Sequence, residues 1–333
     1  MHEAGFRRGR LADAARSNWA GDGPRPVAWS AWYPAVPSAV PPANGTARDR
    51  RLFRAPRRLF GAPLAEGGPF PLVLLSHGTG GTAEGMGWFG ERLARMGHIV
   101  IAADHHGNTA VEPYRAEGFL CWWERAGDLS LLLDHHLADG PFAGRIDPGR
   151  LHAAGFSLGG YTVLAALGAR TDVARFLDWA AGTPFAAGPR EFPDLSARIP
   201  VLLRDSAPFR AALDRQGQDW GDARLRSGFA MAPAPTVRGF STESLAAIDR
   251  PVALVVGGAD REAPAGPCAD WLAAQLPAAS LAHLGPEVGH YVFLDECTAF
   301  GLEAEPALCR DAPGVDRRAI HDRAAALARD LFR

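Results

Sequence analysis

Leu151-His152-Ala153-Ala154-Gly155-Phe156-Ser157-Leu158-Gly159-Gly160-Tyr161 joins a short apolar strand, Leu151 to Phe156, to a helix whose pattern runs from Tyr161 to Gly168. A G-x-S-x-G motif lies at the junction. A serine on so tight a strand-to-helix turn stands near the positive end of a helix with its hydroxyl held outward. Gly155 and Gly159 flank it at positions where a Cβ would clash. The turn suits a nucleophile, but the same letters also occur as an incidental glycine-flanked turn. Partners elsewhere in the chain must decide between the two.

Outward from this turn, Leu72 to Ser76 is a continuous apolar run, the mark of a strand buried on both faces. Glu84 to Met96 has helical character and His98 to Ala103 is another strand, which implies a parallel pair with a right-handed crossover. Leu129, Leu132, Leu133 and Leu137 mark one face of a helix before the Ser157 strand. The repeating βα rhythm argues for an α/β fold, a doubly wound and mostly parallel sheet, in a single domain over 1–333. Upstream, Arg25 to Tyr33 alternates and stops at Pro34, the pattern of an edge strand, and Pro34 to Gly68 reads as loop. Asp172 to Asp222 breaks the rhythm with Ala, Pro and Arg, includes a helix from Pro208 to Arg215, and is expected to form a helical cap over the strand ends. The sheet resumes with Leu225 to Ala232 and Val252 to Val256. A closing helix sets Ile320, Ala324, Leu327 and Leu331 on one face.

At 333 residues and 47% hydrophobic content the chain can bury one sizeable core. Its net charge of −2 supplies no bulk field for nucleic acid or anionic membranes. All 35 basic residues are arginine. The absence of lysine excludes a Walker-type phosphate loop, a lysine Schiff base and a Ser-x-x-Lys pair. Cys121, Cys268, Cys297 and Cys309 show no C-x-x-C spacing, which argues against structural zinc, and a local Cys297–Cys309 bridge stays open. The first 20 residues carry arginines without an apolar h-region, and no later run has the length of a membrane span. A soluble cytoplasmic protein is the expectation, and oligomeric state leaves no signature.

A hydroxyl nucleophile needs a base to take its proton and a third group to orient that base. On a sheet of this kind the order is serine, acid, histidine. Asp260 follows the strand Val252 to Val256 through Gly257-Gly258-Ala259, and His290 ends Gly285-Pro286-Glu287-Val288-Gly289-His290. Both fall in loops at strand carboxyl ends, where such folds collect their catalytic groups. Singly, an aspartate after a strand is a cap or turn residue and a Gly-His a surface loop; jointly, their order and placement favour the triad. Asp249, Asp270 and Glu287 are rival acids, and His283 is the rival base. The developing oxyanion needs two preorganised N–H donors. Leu158 supplies one, and Thr79, in Ser76-His77-Gly78-Thr79-Gly80-Gly81, is the best candidate for the other, with His77 and Gly78 supporting the loop.

That loop also permits a rival: Gly78-x-Gly80-x-x-Ala83, with Asp104 ending the next strand, resembles a dinucleotide fingerprint. It leaves Ser157, Asp260 and His290 unexplained. His105-His106 and His135-His136 suggest metal only superficially, because adjacent side chains point in different directions. Trp122 and Trp123 suit either an acyl pocket or a buried aromatic belt.

Together these residues resemble the serine α/β-hydrolases of the dienelactone-hydrolase-like group, related to platelet-activating-factor acetylhydrolases. The resemblance runs from about Arg25 to the C-terminus. It rests on Trp32-Tyr33-Pro34, Ser76-His77-Gly78, Asp104-His105-x-Gly107-Asn108-Thr109, the Ser157 elbow, Asp260, and Gly289-His290 followed by Phe293-Leu294-x-x-Cys297. It implies Ser157 as nucleophile, Asp260 as orienting acid, His290 as base, and Thr79 and Leu158 as oxyanion donors. The implied reaction is hydrolysis of a small-molecule carboxylic ester through an acyl-serine, with no metal or organic cofactor. Two departures matter: true dienelactone hydrolases use cysteine where Ser157 stands, and His106 replaces the usual proline of the Asp-His-Pro-Gly loop. The alternatives are a nucleotide-dependent oxidoreductase using the 78–83 loop and a non-catalytic binding protein of hydrolase fold.

Overall fold

The computed structural model describes residues 2–37, 50–54 and 57–333. The chain begins with β1 (Glu3–Ser17) and β2 (Pro24–Ala35), an antiparallel pair in register from Glu3↔Ala35 to Asp13↔Arg25. β3 (Leu59–Phe60) is short and lies parallel to β1. The parallel core follows: β4 (Phe70–Ser76), α1 (Gly87–Arg95), β5 (Ile99–Asp104), α2 (Ala116–Leu120), α3 (Glu124–Ala138), β6 (Ile146–Phe156) and α4 (Leu158–Ala166). Among the described residues one nine-stranded sheet forms in the order β3-β1-β2-β5-β4-β6-β7-β8-β9, where β7 (Ser227–Met231), β8 (Val252–Val256) and β9 (Ala279–His283) complete it. From β5 to β9 every neighbour pair is parallel.

One expectation needs correction. β2 is not an edge strand, since β1 covers one side and β5 pairs antiparallel on the other. β1 carries no strand signal in the sequence, because Gly5, Arg7 and Gly9 on one face alternate with Phe6, Arg8 and Arg10 on the other. Those glycines belong to the pairing: Gly5 and Gly9 lie under the rings of Tyr33 and Trp29, where a Cβ would come within 2.3 and 2.5 Å. Of the segment expected as loop, residues 38–49 and 55–56 lie outside the described residues, and the rest holds the end of β2, the two residues of β3 and isolated bridges at Ala35↔Leu64 and Phe53↔Cys297.

The apolar runs of the core strands split by alternation between two layers. Leu72, Leu74, Ile101 and Ala153 face α3 and α4 with Leu129, Leu133, Tyr161 and Leu164. Val73, Leu75, Val100 and Ala154 face the opposite layer, α1 and the C-terminal helix, with Phe89, Leu93, Ala324 and Ala328. Each such valine, leucine, isoleucine or phenylalanine, fully buried, contributes about 1.5–3 kcal/mol over exposure. Two-sided burial therefore fixes the level at which every strand ends, and the loops after β4, β6 and β8 emerge together.

Between α4 and β7 come α5 (Val173–Ala180), α6 (Leu195–Asp205) and α7 (Ala207–Asp214). α7 begins where Ser206 Oγ accepts the Phe209 N–H, one residue before the expected start. The remaining helices are α8 (Thr242–Ala246), α9 (Trp271–Gln275), α10 (Ala299–Ala304), α11 (Pro306–Cys309) and α12 (Arg317–Leu331). α12 buries Arg317, His321, Ala324, Ala325 and Ala328, so its inner face is turned slightly from the expected stripe, with Ile320, Leu327 and Leu331 flanking. Cys297 and Cys309 form a disulfide, and Cys121 and Cys268 are free and buried. No helix among the described residues is long and apolar enough to cross a membrane.

Candidate active site

Ser157 sits between β6 and α4 with φ 55° and ψ −116°, a conformation that L-residues rarely adopt. Four backbone hydrogen bonds fix the turn around it: Ser157 N–H donates to Met231 O (2.8 Å), and its carbonyl accepts from Gly160 N–H (2.8 Å), Ala234 N–H (3.0 Å) and Tyr161 N–H (3.3 Å). Its glycines are obligatory. A Cβ on Gly155 would come 2.1 Å from Gly159 O, and one on Gly159 would come 1.9 Å from Ser76 O. Strand β6, helix α4 and the end of β4 thus meet at a separation that no side chain permits.

His290 and Asp260 reach the same point from the loops after β9 and β8. Ser157 Oγ lies 3.0 Å from His290 Nε2, and His290 Nδ1 lies 2.7 Å from Asp260 Oδ2. Asp260 Oδ1 accepts the Ala263 N–H at 2.7 Å, so both carboxylate oxygens are engaged. All three residues are nearly buried, at 8%, 6% and 5% exposure for Ser157, His290 and Asp260. Such a chain can pass the hydroxyl proton to Nε2 while the carboxylate holds Nδ1–H and stabilises the resulting imidazolium.

The loop holding His290 is pinned from several sides. Trp88 Nε1–H donates to Phe293 O (2.7 Å), Asp295 Oδ1 accepts the Trp88 N–H (2.7 Å), and His321 Nε2 bonds Val292 O (2.7 Å). Trp88 and His321 stack at 3.9 Å. The Cys297–Cys309 disulfide joins the end of this loop to α11.

Leu158 opens α4, so its N–H precedes the intrahelical ladder. Across from it runs the His77–Gly81 loop. Gly80 N–H donates to Asn108 Oδ1 (2.7 Å), Gly80 O accepts from Tyr114 OH (2.7 Å), and Gly81 N–H closes a turn onto Gly78 O (3.2 Å). Thr79 N–H has no partner among the described residues. An ideal Cβ on Gly78 would stand 3.2 Å from Ser157 Cβ, which measures how closely this loop passes the serine. His77 is fully buried; burial, then Arg125 and His105, hold it well below the ordinary imidazole range, so it stays neutral. That suits support of the loop rather than proton transfer.

The rival acids and base fall elsewhere. His283 Nε2 pairs with Asp270 Oδ1 at 3.0 Å on the surface, Asp249 lies beside Arg250 at 3.8 Å, and Glu287 is exposed. Asp104 turns inward, its Oδ1 accepting from Ala83 N–H (2.8 Å) and Thr109 Oγ1 (3.0 Å), and so is not presented to a ribose. His105 faces Asp128 while His106 faces Glu112. No group of three or more potential ligands among the described residues could hold a metal ion. Trp122 and Trp123 are buried; Trp122 packs on Tyr161 and Phe176, and Trp123 Nε1–H donates to Ala212 O. They form a belt between the core and the 173–214 helices.

One residue at the site carried no sequence signal. Glu191, between α5 and α6, packs onto the glycine loop, where a Cβ on Gly80 would come 2.8 Å from its Cγ. Burial, and Glu262 nearby, raise its carboxyl above the usual range. Only the path of the 173–214 segment brings it there.

No family model matches the chain. Cutinase est2 of Thermobifida alba is 34% identical over 110 residues, 32% of this chain and 33% of that protein. The putative esterase NocK of Nocardia uniformis subsp. tsuyamanensis is 33% identical over 183 residues, 50% of this chain and 47% of that protein. The chain thus spans between a third and about half the length of the curated relatives it matches. A ferulic acid esterase from Streptomyces cinnamoneus superposes with a TM-score of 0.64 at 20% identity, covering 99% of this chain and 89% of that one. The fold is that of the α/β-hydrolases.

Proposed function

We propose that this chain is a serine hydrolase that cleaves carboxylic esters through an acyl-serine intermediate. The observation that carries the reading is the hydrogen-bonded chain from Ser157 Oγ through His290 to Asp260, on an elbow whose glycines admit no Cβ. The partial similarity to a cutinase and a putative esterase, and the fold shared with a ferulic acid esterase, point the same way.

In the proposed mechanism Ser157 Oγ attacks the ester carbonyl as its proton passes to His290 Nε2. Asp260 keeps Nδ1–H in place, so that Nε2 is the acceptor. Leu158 and Thr79 N–H groups receive the oxyanion, His290 returns the proton to the leaving alcohol, and then activates water for deacylation. Cap function is proposed for 172–222, with Glu191 as its contact to the glycine loop at Gly80. A neutral or protonated Glu191 would donate to a substrate oxygen, and an ionised one would disfavour an anionic substrate.

The dienelactone-hydrolase-like and acetylhydrolase-like grouping remains a proposal resting on the motifs, and Ser157 in place of cysteine argues against inheriting lactone specificity. The Cys297–Cys309 disulfide favours an oxidising compartment over the cytoplasmic expectation. A panel of p-nitrophenyl esters of increasing acyl length, beside a feruloyl ester, an acetyl phospholipid and a lactone, tests the reading. Turnover lost in Ser157→Ala and His290→Ala with the fold intact supports it. Near-normal hydrolysis by either variant would overturn the assignment.

A further inference from the structure

Against the glycine loop lies a second Ser-His-Asp chain that is sealed from solvent. Ser76 Oγ is 2.9 Å from His105 Nε2, and His105 Nδ1 is 2.9 Å from Asp128 Oδ2. Ser76, His105 and Asp128 are wholly buried, so none of them can meet a substrate.

The protons in this chain can be assigned. Burial alone would raise the Asp128 carboxyl, but Arg25 and Arg16, bonded to it at 2.7–2.9 Å, outweigh burial and hold it well below the usual range. Burial, then Arg125, pull His105 down to about 3, so the ring is neutral. Its Nδ1–H therefore donates to Asp128, and Nε2 accepts the Ser76 hydroxyl. The oxygen of Ser76 then receives Arg125 Nη2 at 3.3 Å. The same Nη2 donates to the His77 carbonyl. The His77 ring is held as well, its Nε2 accepting from His105 N–H (3.3 Å) and its Nδ1–H donating to Gly78 O (2.6 Å). All of these bonds converge on the two residues that precede Thr79, while Asn108 and Tyr114 hold Gly80 on its other side.

Arg125 is an awkward group to bury for structural reasons. Its Nε and Nη1 are buried without a hydrogen-bond partner among the described residues. Asp128 does not depend on it, having Arg16 and Arg25. Replacing a buried, incompletely bonded charge by an apolar side chain is often neutral or stabilising. We propose that Arg125, set by the Ser76–His105–Asp128 chain, is a positioning residue that fixes the His77 carbonyl and thereby aims Thr79 N–H at the developing oxyanion. It acts through His77 and does not touch substrate. This inference rests on the ester-hydrolase reading of the same site.

The test compares Arg125→Met with Arg125→Lys, and Ser76→Ala with Ser76→Thr. Rates are expressed per active site counted by fluorophosphonate titration, alongside melting temperature, inhibition by an alkyl boronic acid, and hydrogen exchange over residues 77–81. Arg125→Met is expected to lower kcat per site by roughly 10–100-fold, less than the roughly 10²–10³-fold of losing an oxyanion donor outright, and to weaken the boronic acid in parallel. KM should stay within about twofold, melting temperature should hold or rise, and exchange in 77–81 should quicken. Arg125→Lys and Ser76→Thr should each recover most of the loss shown by their partners. Unchanged kcat per site and unchanged exchange would overturn the proposal. If Arg125→Met does not fold, the serine pair decides by the same criteria. If the wild-type chain hydrolyses no ester, the functional reading fails, and exchange over 77–81 alone judges the positioning role.

Discussion

Asp260 illustrates how much of the proposed chemistry rests on a single atom. Its Oδ2 accepts from His290 Nδ1 and its Oδ1 from Ala263 N–H. In Asp260→Asn, Oδ1 can still cap Ala263, but the amide nitrogen then faces Nδ1 and favours the tautomer whose Nε2 already carries a proton. Such a histidine cannot take one from Ser157. The expected result is a fall in kcat of roughly 10⁴-fold with an unchanged melting temperature, measured by steady-state kinetics and thermal unfolding. Gly159 makes the complementary case for backbone. Gly159→Ala would drive a Cβ into Ser76 O, so either β4 or α4 must shift. Both melting temperature and turnover should drop, by more than the loss of roughly 1 kcal/mol typical of a point substitution. A variant with wild-type melting would contradict the close approach described for the elbow.

At the level of elements, β4, β5, β6 and β8 were legible because burial on both faces leaves an unbroken apolar run. β1 was not, because Gly5, Arg7 and Gly9 share one face and Phe6, Arg8 and Arg10 the other, so neither face reads as an apolar stripe. The error about β2 followed, since an edge is defined by what lies beyond it. Ser157, His290 and Asp260 could be read from their order along the chain. Ser76, Arg125 and Asp128 could not, because the packing of α3 against β4 and β5, not local pattern, brings them together: Ser76 meets Arg125 across 49 positions and His105 across 29, and His105 meets Asp128 across 23. The same holds for Glu191, which only the 173–214 path carries to Gly80. Glu191→Ala is expected to change relative kcat/KM across the ester panel, improving anionic substrates most, with little effect on melting; an unchanged ranking would remove it from the substrate site. The disulfide closes a separation of 12 residues, for which loop-closure entropy suggests a contribution of about 3 kcal/mol. Reduction should therefore lower the melting temperature, and turnover at moderate temperature should persist, because Trp88, His321 and Arg317 still pin the His290 loop.

Across the whole molecule, buried imidazoles set the response to acid. Burial is the main cause that lowers His98 and His152 to about 4 and His105, His136 and His321 to about 3. Folded, they stay neutral well below the ordinary value of about 6.5, whereas the unfolded chain takes up protons there. The unfolded state binds more protons, so stability falls as pH drops from about 6.5 towards about 4. Asp104, raised to about 6 by burial, and Asp295, which burial holds well above the usual carboxylate range, act in the opposite sense but are fewer. Melting temperature should therefore decline between pH 7 and 5. His136, wedged against Trp29 and Phe142 with both ring nitrogens unpartnered among the described residues, offers the cleanest check. His136→Phe should gain stability at pH 5 relative to pH 7.5, and parallel curves for variant and wild type would contradict this. The central claim, that Ser157 is the nucleophile of a serine hydrolase, is met most directly by intact-mass and peptide analysis after exposure to a fluorophosphonate. The expected result is one adduct per chain, located on Ser157 and absent from Ser157→Ala and from protein already acylated by a slow ester. An unmodified Ser157 in folded protein, or an adduct that persists in Ser157→Ala, would contradict it.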